Sequence, residues 1–408
     1  MVYLNNAATS WPKPRSVLEA VTAALAREPV SPLRSSLSKG DDLLSELRQK
    51  LGRLFNISDW QRIFFCSSAT DAFNRIVDGL RISSYDYAID SHNSVLRPLA
   101  NKSRHLEASP TTLSQSLEDV TIYDGLFLNH CSNVTGAICD IRHEWQDYQI
   151  VNRKSVNRKL LVLDAAQSAG CIPIDVDGWG CDILVFTGHK GLYGPMGVGG
   201  YYVRRGIELR PSQFGGTGRD SSIIQYGEND EWEYEVGTQN MPGLAGLKAG
   251  VDYVLQRGVE NICEKEQRLT RWLIDELRGI PKVQLYVASV AGSGGKTAGH
   301  SEPEGAQGPV VSFNIGNLLP SDVGYILQNS YGITVRTGLH CAPLIHRRLG
   351  TEKYGTVRVS LSDFTTLNDL QALVKAVSEI SGSIVLSSCS DEFRKRPVGP
   401  SEELGVKS

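Results

Sequence analysis

Six short apolar runs punctuate the first half of this chain: RIFFC (62–66), YAID (87–90), GLFLNH (125–130), LLVLD (160–164), DILVF (182–186) and GGYYV (199–203). Each is too short to be a buried helix and is bounded by polar or turn residues, so each reads as a strand. Runs that are apolar at every position, rather than at alternate ones, belong to strands covered on both faces. A largely parallel sheet flanked by helices supplies such cover. Amphipathic spacing occurs where those helices are needed, at Val17, Ala20, Val21, Ala24 and Leu25, and at Leu43, Leu44, Leu47, Leu51 and Leu54. Ligands in sheets of this kind bind at the carboxyl ends of the strands, so the polar residues that close the runs are where chemistry is expected.

The pattern turns long-helical over 242–280. After it, PVVSFNI (309–315), ITVRT (333–337) and TVRVSL (356–361) alternate with helical spacing near 320–330 and 366–381. The expected organisation is an N-terminal segment (1–30) packing with a small domain, a large domain (31–255), a small α+β domain (256–385) and a disordered tail (386–408). The Gly/Ser-rich stretch 291–308 reads as a loop.

Lys+Arg total 42 against 45 for Asp+Glu in 408 residues, a balance that argues against nucleic acid or an anionic membrane as partner. No run approaches the ~20 apolar residues of a membrane span, and the first residues lack the charged and apolar regions of a secretory signal. The eight cysteines (66, 131, 139, 171, 181, 263, 341 and 389) show neither CxxC nor zinc-like spacing, so no metal site is expected and a reducing, cytoplasmic setting fits.

Segment 160–195, LLVLDAAQSAGCIPIDVDGWGCDILVFTGHKGLYGP, is the most specific. One strand ends in Asp164, with Gln167 three residues on; the next ends in Thr187, followed by Gly188, His189 and Lys190. A lysine in a glycine-flanked turn at a strand end, beside a histidine, is partly desolvated, and its lowered pKa suits it to attack a carbonyl. An aspartate at the neighbouring strand end can keep a proton on a pyridine nitrogen. A Schiff-base lysine with an acidic partner for the ring is the arrangement that pyridoxal phosphate needs.

DAAQS and TGHKGLYGP resemble the class V aminotransferase family, in particular its cysteine desulfurases and selenocysteine lyases. The resemblance runs over about 2–382. YLNNAATSWPKP is similar to the family's opening "LDNAATT", which puts Asn6 on the substrate side. FCSSATDAFN (65–74) is similar to "TSGATEALN", implying that Ala69 and Thr70, at a helix start, bind the cofactor phosphate. SHNSVLRPL (91–99) implies that His92 stacks on the cofactor ring. HCSNVTG (130–136) implies Asn133 beside its phenolic oxygen. Thr187, His189 and the Thr238 of EVGTQN (235–240) complete the phosphate site, Thr238 reaching the neighbouring subunit of a homodimer. VRTGLHCAP (335–343) is similar to "VRTGHHCA", implying Cys341 as nucleophile with His340 helping to hold its thiolate. Arg358, in the apolar run TVRVSL, is costly to bury unless paired, and the family uses an Arg at this point for the substrate α-carboxylate. The resemblance thus implies an α/β chain of fold type I: a large domain with a mostly parallel seven-stranded sheet, and a smaller α+β domain carrying Cys341 and Arg358. It implies pyridoxal 5'-phosphate as cofactor, L-cysteine or a related amino acid as substrate, and a sulfur-acceptor protein as a further partner.

Three segments depart from the family's pattern. The loop written "GRGxHxLS" in the family is SPLRSSLSKG (31–40) here, so Arg34 matches an Arg on the substrate side while Leu37 replaces a His. LHC stands for HHC, and GTQN for GTPN. Three readings stay open on the sequence alone: a cysteine desulfurase, another reaction of the family (C–S lyase, epimerase or aminotransferase) on a specialised amino acid, and a catalytically silent scaffold.

Overall fold

A computed structural model describes residues 1–27, 43–108, 122–216, 222, 224, 234–288 and 306–394. The chain opens with β1 (Val2–Tyr3), α1 (Arg15–Ala26) and α2 (Leu43–Phe55). The runs read from the sequence follow as β2 (Ile63–Cys66), α3 (Ala69–Gly79), β3 (Ile82–Tyr87), α4 (Asn93–Ala108) and β4 (Tyr123–Asn129). Next come α5 (Ile141–Val151), β5 (Arg158–Asp164), α6 (Val176–Trp179), β6 (Ile183–Thr187) and β7 (Gly199–Val203). α7 (Met241–Arg257) and α8 (Val259–Arg278) lead into β8 (Val283–Tyr286), β9 (Val310–Ile315) and α9 (Pro320–Tyr331). The described chain closes with β10 (Ile333–Thr334), β11 (Arg336–Gly338), α10 (Pro343–Leu349), β12 (Thr356–Ser360) and α11 (Leu367–Arg394).

The main sheet has the order β2-β7-β6-β5-β4-β3. Only β7 runs against its neighbours, so the sheet is mostly parallel. Among the described residues it has six strands, where the family resemblance implied seven. The two-residue period of a strand sends alternate side chains to opposite faces. Leu161, Leu163, Leu184 and Phe186 pack with α2 and α7 on one face. Leu160, Val162, Ile183 and Val185 pack with α3 on the other. Every one of those eight residues is fully buried, which accounts for runs apolar at every position.

β3 is an edge strand with an exposed face. Its polar run ISSYDY gave no apolar signal, so the strand expected at 87–90 lies instead at 82–87. The displaced residues Ala88–Asp90 form the turn that delivers His92. The run 333–337, expected as one strand, divides: β10 pairs in parallel with β1, and β11 turns to pair antiparallel with β12. The second sheet, β11-β12-β9-β8, gathers α8, α9 and α11 around its own core, which includes Leu4 of the N-terminal segment. α11 continues to Arg394, into the stretch 386–408 that was expected to be disordered.

Two contacts set the turn after β6. A Cβ on Gly191 would stand 2.5 Å from the Ala169 carbonyl oxygen, and one on Gly250 would stand 2.2 Å from that of Leu192. The turn is therefore pressed between the chain after β5 and helix α7, and any side chain there would push it away.

Candidate active site

Asp164 closes β5 and Thr187 closes β6, two neighbouring parallel strands, so both lie at the carboxyl edge of the sheet. Asp164 is buried and accepts from the Ala166 amide (2.9 Å). Burial raises its pKa, with the amide and the charge of Lys190 opposing. Lys190 follows Thr187 by three residues. Burial is the main reason that its amine falls to about 8; Asp164 works against that shift, while the cations of Arg358 and Arg336 add to it. Lys190 is thus desolvated, with Asp164 near enough for its charge to be felt.

His92 sits one residue before α4. Its Nδ1 accepts from the Ser94 amide (3.1 Å), which places the ring proton on Nε2. Burial, then the nearby cations Lys190, Arg336 and Arg358, bring its pKa to about 4, so the ring is neutral at physiological pH. His189 is likewise brought to about 4 by burial and by Lys190 and Lys13.

Helix α3 is capped by Ser68, whose hydroxyl accepts from the Asp71 amide. Ala69 and Thr70 form the first turn, where amides lie beyond the reach of helix-internal carbonyls and an anion is favoured. Thr238 is exposed in the single chain, between two anchors. Before it, Glu235 accepts from the Phe65 amide (2.5 Å) and pairs with Arg48, whose guanidinium lies over the Phe65 ring (5.1 Å). After it, Asn240 caps α7.

Cys341 lies in a turn bent back onto the large domain. Cys341 and His340 both have positive φ (61° and 50°), an uncommon backbone for residues with side chains. Their carbonyls are held from the large domain: the Asn93 amide donates to that of Cys341 (2.7 Å), and Asn133 Nδ2 donates to that of His340 (2.7 Å). These bonds hold the Cys341 backbone against Asn93, the residue after His92. The sulfur receives a contact from Arg336 Nη2 (3.3 Å).

His340 does not hold that thiolate. Its Nε2 meets the Thr356 hydroxyl (3.0 Å), and burial with the adjacent Arg358, His346 and Arg336 brings its pKa to about 2. A neutral ring turned into the core cannot serve as the cation, and Arg336 takes that place. Within the motif VRTGLHC the arginine was legible, but its fold-back onto the cysteine was not.

Arg358 is fully buried. It donates to the Asn133 carbonyl (2.9 Å) and to Asn5 Oδ1 (3.4 Å), and no carboxylate among the described residues pairs with it. Burial and Arg336 lower its pKa to about 9, which still leaves it a cation at neutral pH. Asn6 is spent on the chain itself: Nδ2 donates to the Ser360 carbonyl (3.0 Å) and Oδ1 accepts from the Trp11 amide (3.1 Å). Its neighbour Asn5 is the residue that faces Arg358. Arg34 lies outside the described residues.

Buried polar atoms are normally paired, and each one left unmade costs about 1–3 kcal/mol. Among the described residues, six of the eleven buried side-chain atoms without a partner belong to this group: Asn133 Oδ1, Gln167 Oε1, Thr187 Oγ1, His189 Nδ1, His340 Nδ1 and Arg358 Nε. The residues gathered here therefore include an acid, a neutral imidazole, an amine, a helix start that favours an anion, a cation and a thiol. A flat, anionic, carbonyl-bearing cofactor and an amino-acid substrate match that set.

Comparison with known proteins agrees. The sequence model of the family described as Aminotransferase class-V matches residues 2–373. A probable cysteine desulfurase of Methanothermobacter thermautotrophicus is 30% identical over 404 residues, covering 93% of this chain and 95% of that protein. A cysteine desulfurase of Salmonella agona is 29% identical over 408 residues, covering 93% of each. Among solved structures, a cysteine desulfurase from Thermococcus onnurineus superposes with a TM-score of 0.75 at 24% identity, covering 94% of this chain and 95% of that one. A cysteine desulfurase from Escherichia coli gives 0.73 at 23% identity, covering 92% and 94%. The structural likeness establishes the shared fold, and the sequence match establishes descent: this chain belongs to the class-V aminotransferase family, whose members work with pyridoxal phosphate.

Proposed function

We propose that the chain is a pyridoxal 5'-phosphate-dependent cysteine desulfurase that moves sulfur from L-cysteine to Cys341 and releases L-alanine. One observation carries the reading: Arg358, a fully buried guanidinium with no described carboxylate partner, in the same field as the amine of Lys190 and the thiol of Cys341. A substrate α-carboxylate supplies the anion that such a cation lacks. The curated relatives named cysteine desulfurase support the same substrate.

When bound, pyridoxal phosphate supplies an electron sink for the bond electrons released at the substrate Cα. Lys190 would hold the group through its amine and carry the substrate α-proton; a pKa near 8 lets the amine give and take a proton close to neutrality. Asp164 would hold a proton on the pyridine nitrogen, and His92, Gln167 and Asn133 would be the side chains that hold the rest of the ring. Ala69, Thr70, Thr187 and His189 hold the phosphate, with Thr238 of the partner subunit completing it in a homodimer.

Arg358 and Asn5 orient the substrate carboxylate. The Cys341 thiolate, steadied by Arg336, attacks the substrate sulfur. The S–S bond forms as the Cβ–S bond breaks, and the electron pair stays on Cβ, which takes a proton to become the alanine methyl group. The persulfide passes to an acceptor thiol. The seven described cysteines are all free, which suits a reducing, cytoplasmic setting. Among the described residues, no helix is long and apolar enough to cross a membrane.

L-Cysteine supplied with a thiol reductant tests this reading. Equal amounts of alanine and sulfide support it; pyruvate with ammonia would replace it with C–S lyase chemistry.

A further inference from the structure

The peptide joining His189 to Lys190 is held by one short stretch at the start of the chain. The His189 carbonyl accepts from the Ser10 amide (2.9 Å), Lys13 Nζ (3.0 Å) and the Thr9 hydroxyl (3.1 Å). The Ser10 hydroxyl stands 3.2 Å from the same oxygen; a carbonyl oxygen has two lone pairs, so four donor groups crowd this one. The Ser10 hydroxyl accepts from Lys13 Nζ (2.7 Å) and donates to the Lys190 carbonyl (2.8 Å). Lys13 is thus the hub: it bonds the first carbonyl directly and fixes the hydroxyl that bonds the second.

Lys13 has no described carboxylate near enough to pair with, so its ammonium is used on neutral acceptors alone. Burial lowers its pKa to about 8, a cost that the fold bears for this contact. The same stretch reaches the substrate cation as well: Asn5 faces Arg358 and bridges to Ser360 on β12, while β1 pairs with β10. One continuous strap of about nine residues, Asn5 to Lys13, therefore touches both the carboxylate-binding arginine and the backbone of the reactive lysine.

We infer that Lys13 is a positioning residue for Lys190, acting through the His189 carbonyl and the Ser10 hydroxyl to fix the direction in which the reactive amine leaves the backbone. This rests on the desulfurase reading of the site. A charge-assisted bond is stronger and shorter than a neutral one, so a lysine at this point fixes the peptide plane more firmly than the neutral donors alone could. Misplacing a reacting group by a fraction of an ångström slows chemistry without loosening substrate binding.

The test uses the full-length, cofactor-loaded protein with Lys13→Met, which keeps the side chain's length and removes the ammonium, and Lys13→Arg, which keeps a donor and a charge. Three quantities are read: kcat and KM for L-cysteine, the visible circular dichroism of the cofactor bound to Lys190, and the thermal midpoint. Lys13→Met is expected to lower kcat about tenfold with KM within about twofold. It should also alter the visible dichroism while shifting Tm by less than about 4 °C. Lys13→Arg should recover most of the rate and the wild-type dichroism. Wild-type kcat and dichroism in Lys13→Met overturn the inference. So does equal loss in both variants in step with a falling Tm, which marks a merely structural role. If the wild-type protein makes no alanine, the desulfurase reading fails, and the dichroism of Lys13→Met against wild type still decides the role of Lys13.

Discussion

Arg336 and Arg358 stand directly opposite each other across the antiparallel β11–β12 ladder. Like charges in that relation destabilise a sheet, and the complete burial of Arg358 removes the water that would screen them. Their contacts diverge. Arg336 reaches the Cys341 sulfur, while Arg358 reaches Asn5 and the Asn133 carbonyl. In the proposed function the pair would bind anions, its repulsion offset once a carboxylate lay against one guanidinium and a thiolate against the other.

Arg358→Lys should raise KM for L-cysteine roughly 10–100-fold, because a lysine cannot reproduce a bidentate grip on a carboxylate. Arg358→Met should be still less active yet as thermostable as wild type or more so, since it removes a buried charge that has no charged partner. Steady-state kinetics and a thermal melt check both. A marked fall in Tm for the Met variant would place Arg358 among the residues that hold the fold.

Arg336→Gln should slow alkylation of Cys341 by iodoacetamide at neutral pH by about three- to tenfold, because the sulfur loses the cation that stabilises its negative charge. His340→Gln should change that rate by less than about twofold, since a ring with a pKa near 2 carries no charge at neutral pH. Peptide mass spectrometry of the alkylated cysteine gives both rates. Equal slowing in the two variants would return the role to His340.

Asp363 joins the two sheets. It accepts from the Tyr253 hydroxyl (2.6 Å) and from Arg257 Nε (2.8 Å) and Nη2 (3.0 Å), and its amide donates to the hydroxyl of Tyr193, in the turn after Lys190. Burial alone would raise its pKa, but the bonds from Arg257 and Tyr253 and the charge of Lys265 outweigh that and hold it at about 2, below the ordinary 3.8. A carboxylate lowered in the folded state contributes stability that is complete above its unfolded pKa and is lost as pH falls toward the folded value. Asp363→Asn should therefore lower the urea midpoint at neutral pH and flatten its decline between about pH 4 and pH 2. Urea melts across that range check it, and an unchanged slope would contradict it.

The large sheet was legible wherever burial on both faces wrote itself as an unbroken apolar run, as in LLVLD and DILVF. It was illegible at β3, an edge strand whose exposed face carries Ser84 and Asp86. Lys190 and Asp164 were readable because strand ends concentrate chemistry in such sheets. Asn5, Arg336 and Lys13 were missed for a common reason: each acts through a contact that exists only after the N-terminal strap or the Cys341 turn folds back onto another part of the chain. The doubled left-handed backbone at His340 and Cys341 has no glycine to announce it, and it is what exchanges the histidine for the arginine beside the sulfur.

The desulfurase function turns on Cys341 taking the substrate's sulfur. The decisive measurement is the mass of the peptide that contains residue 341 after the loaded protein is incubated with L-cysteine and no reductant. This peptide should gain one sulfur atom, one alanine should appear per site, and Cys341→Ala should abolish both while the protein keeps its yellow cofactor. An extra sulfur on another cysteine, or alanine formed at the wild-type rate by Cys341→Ala, would contradict it.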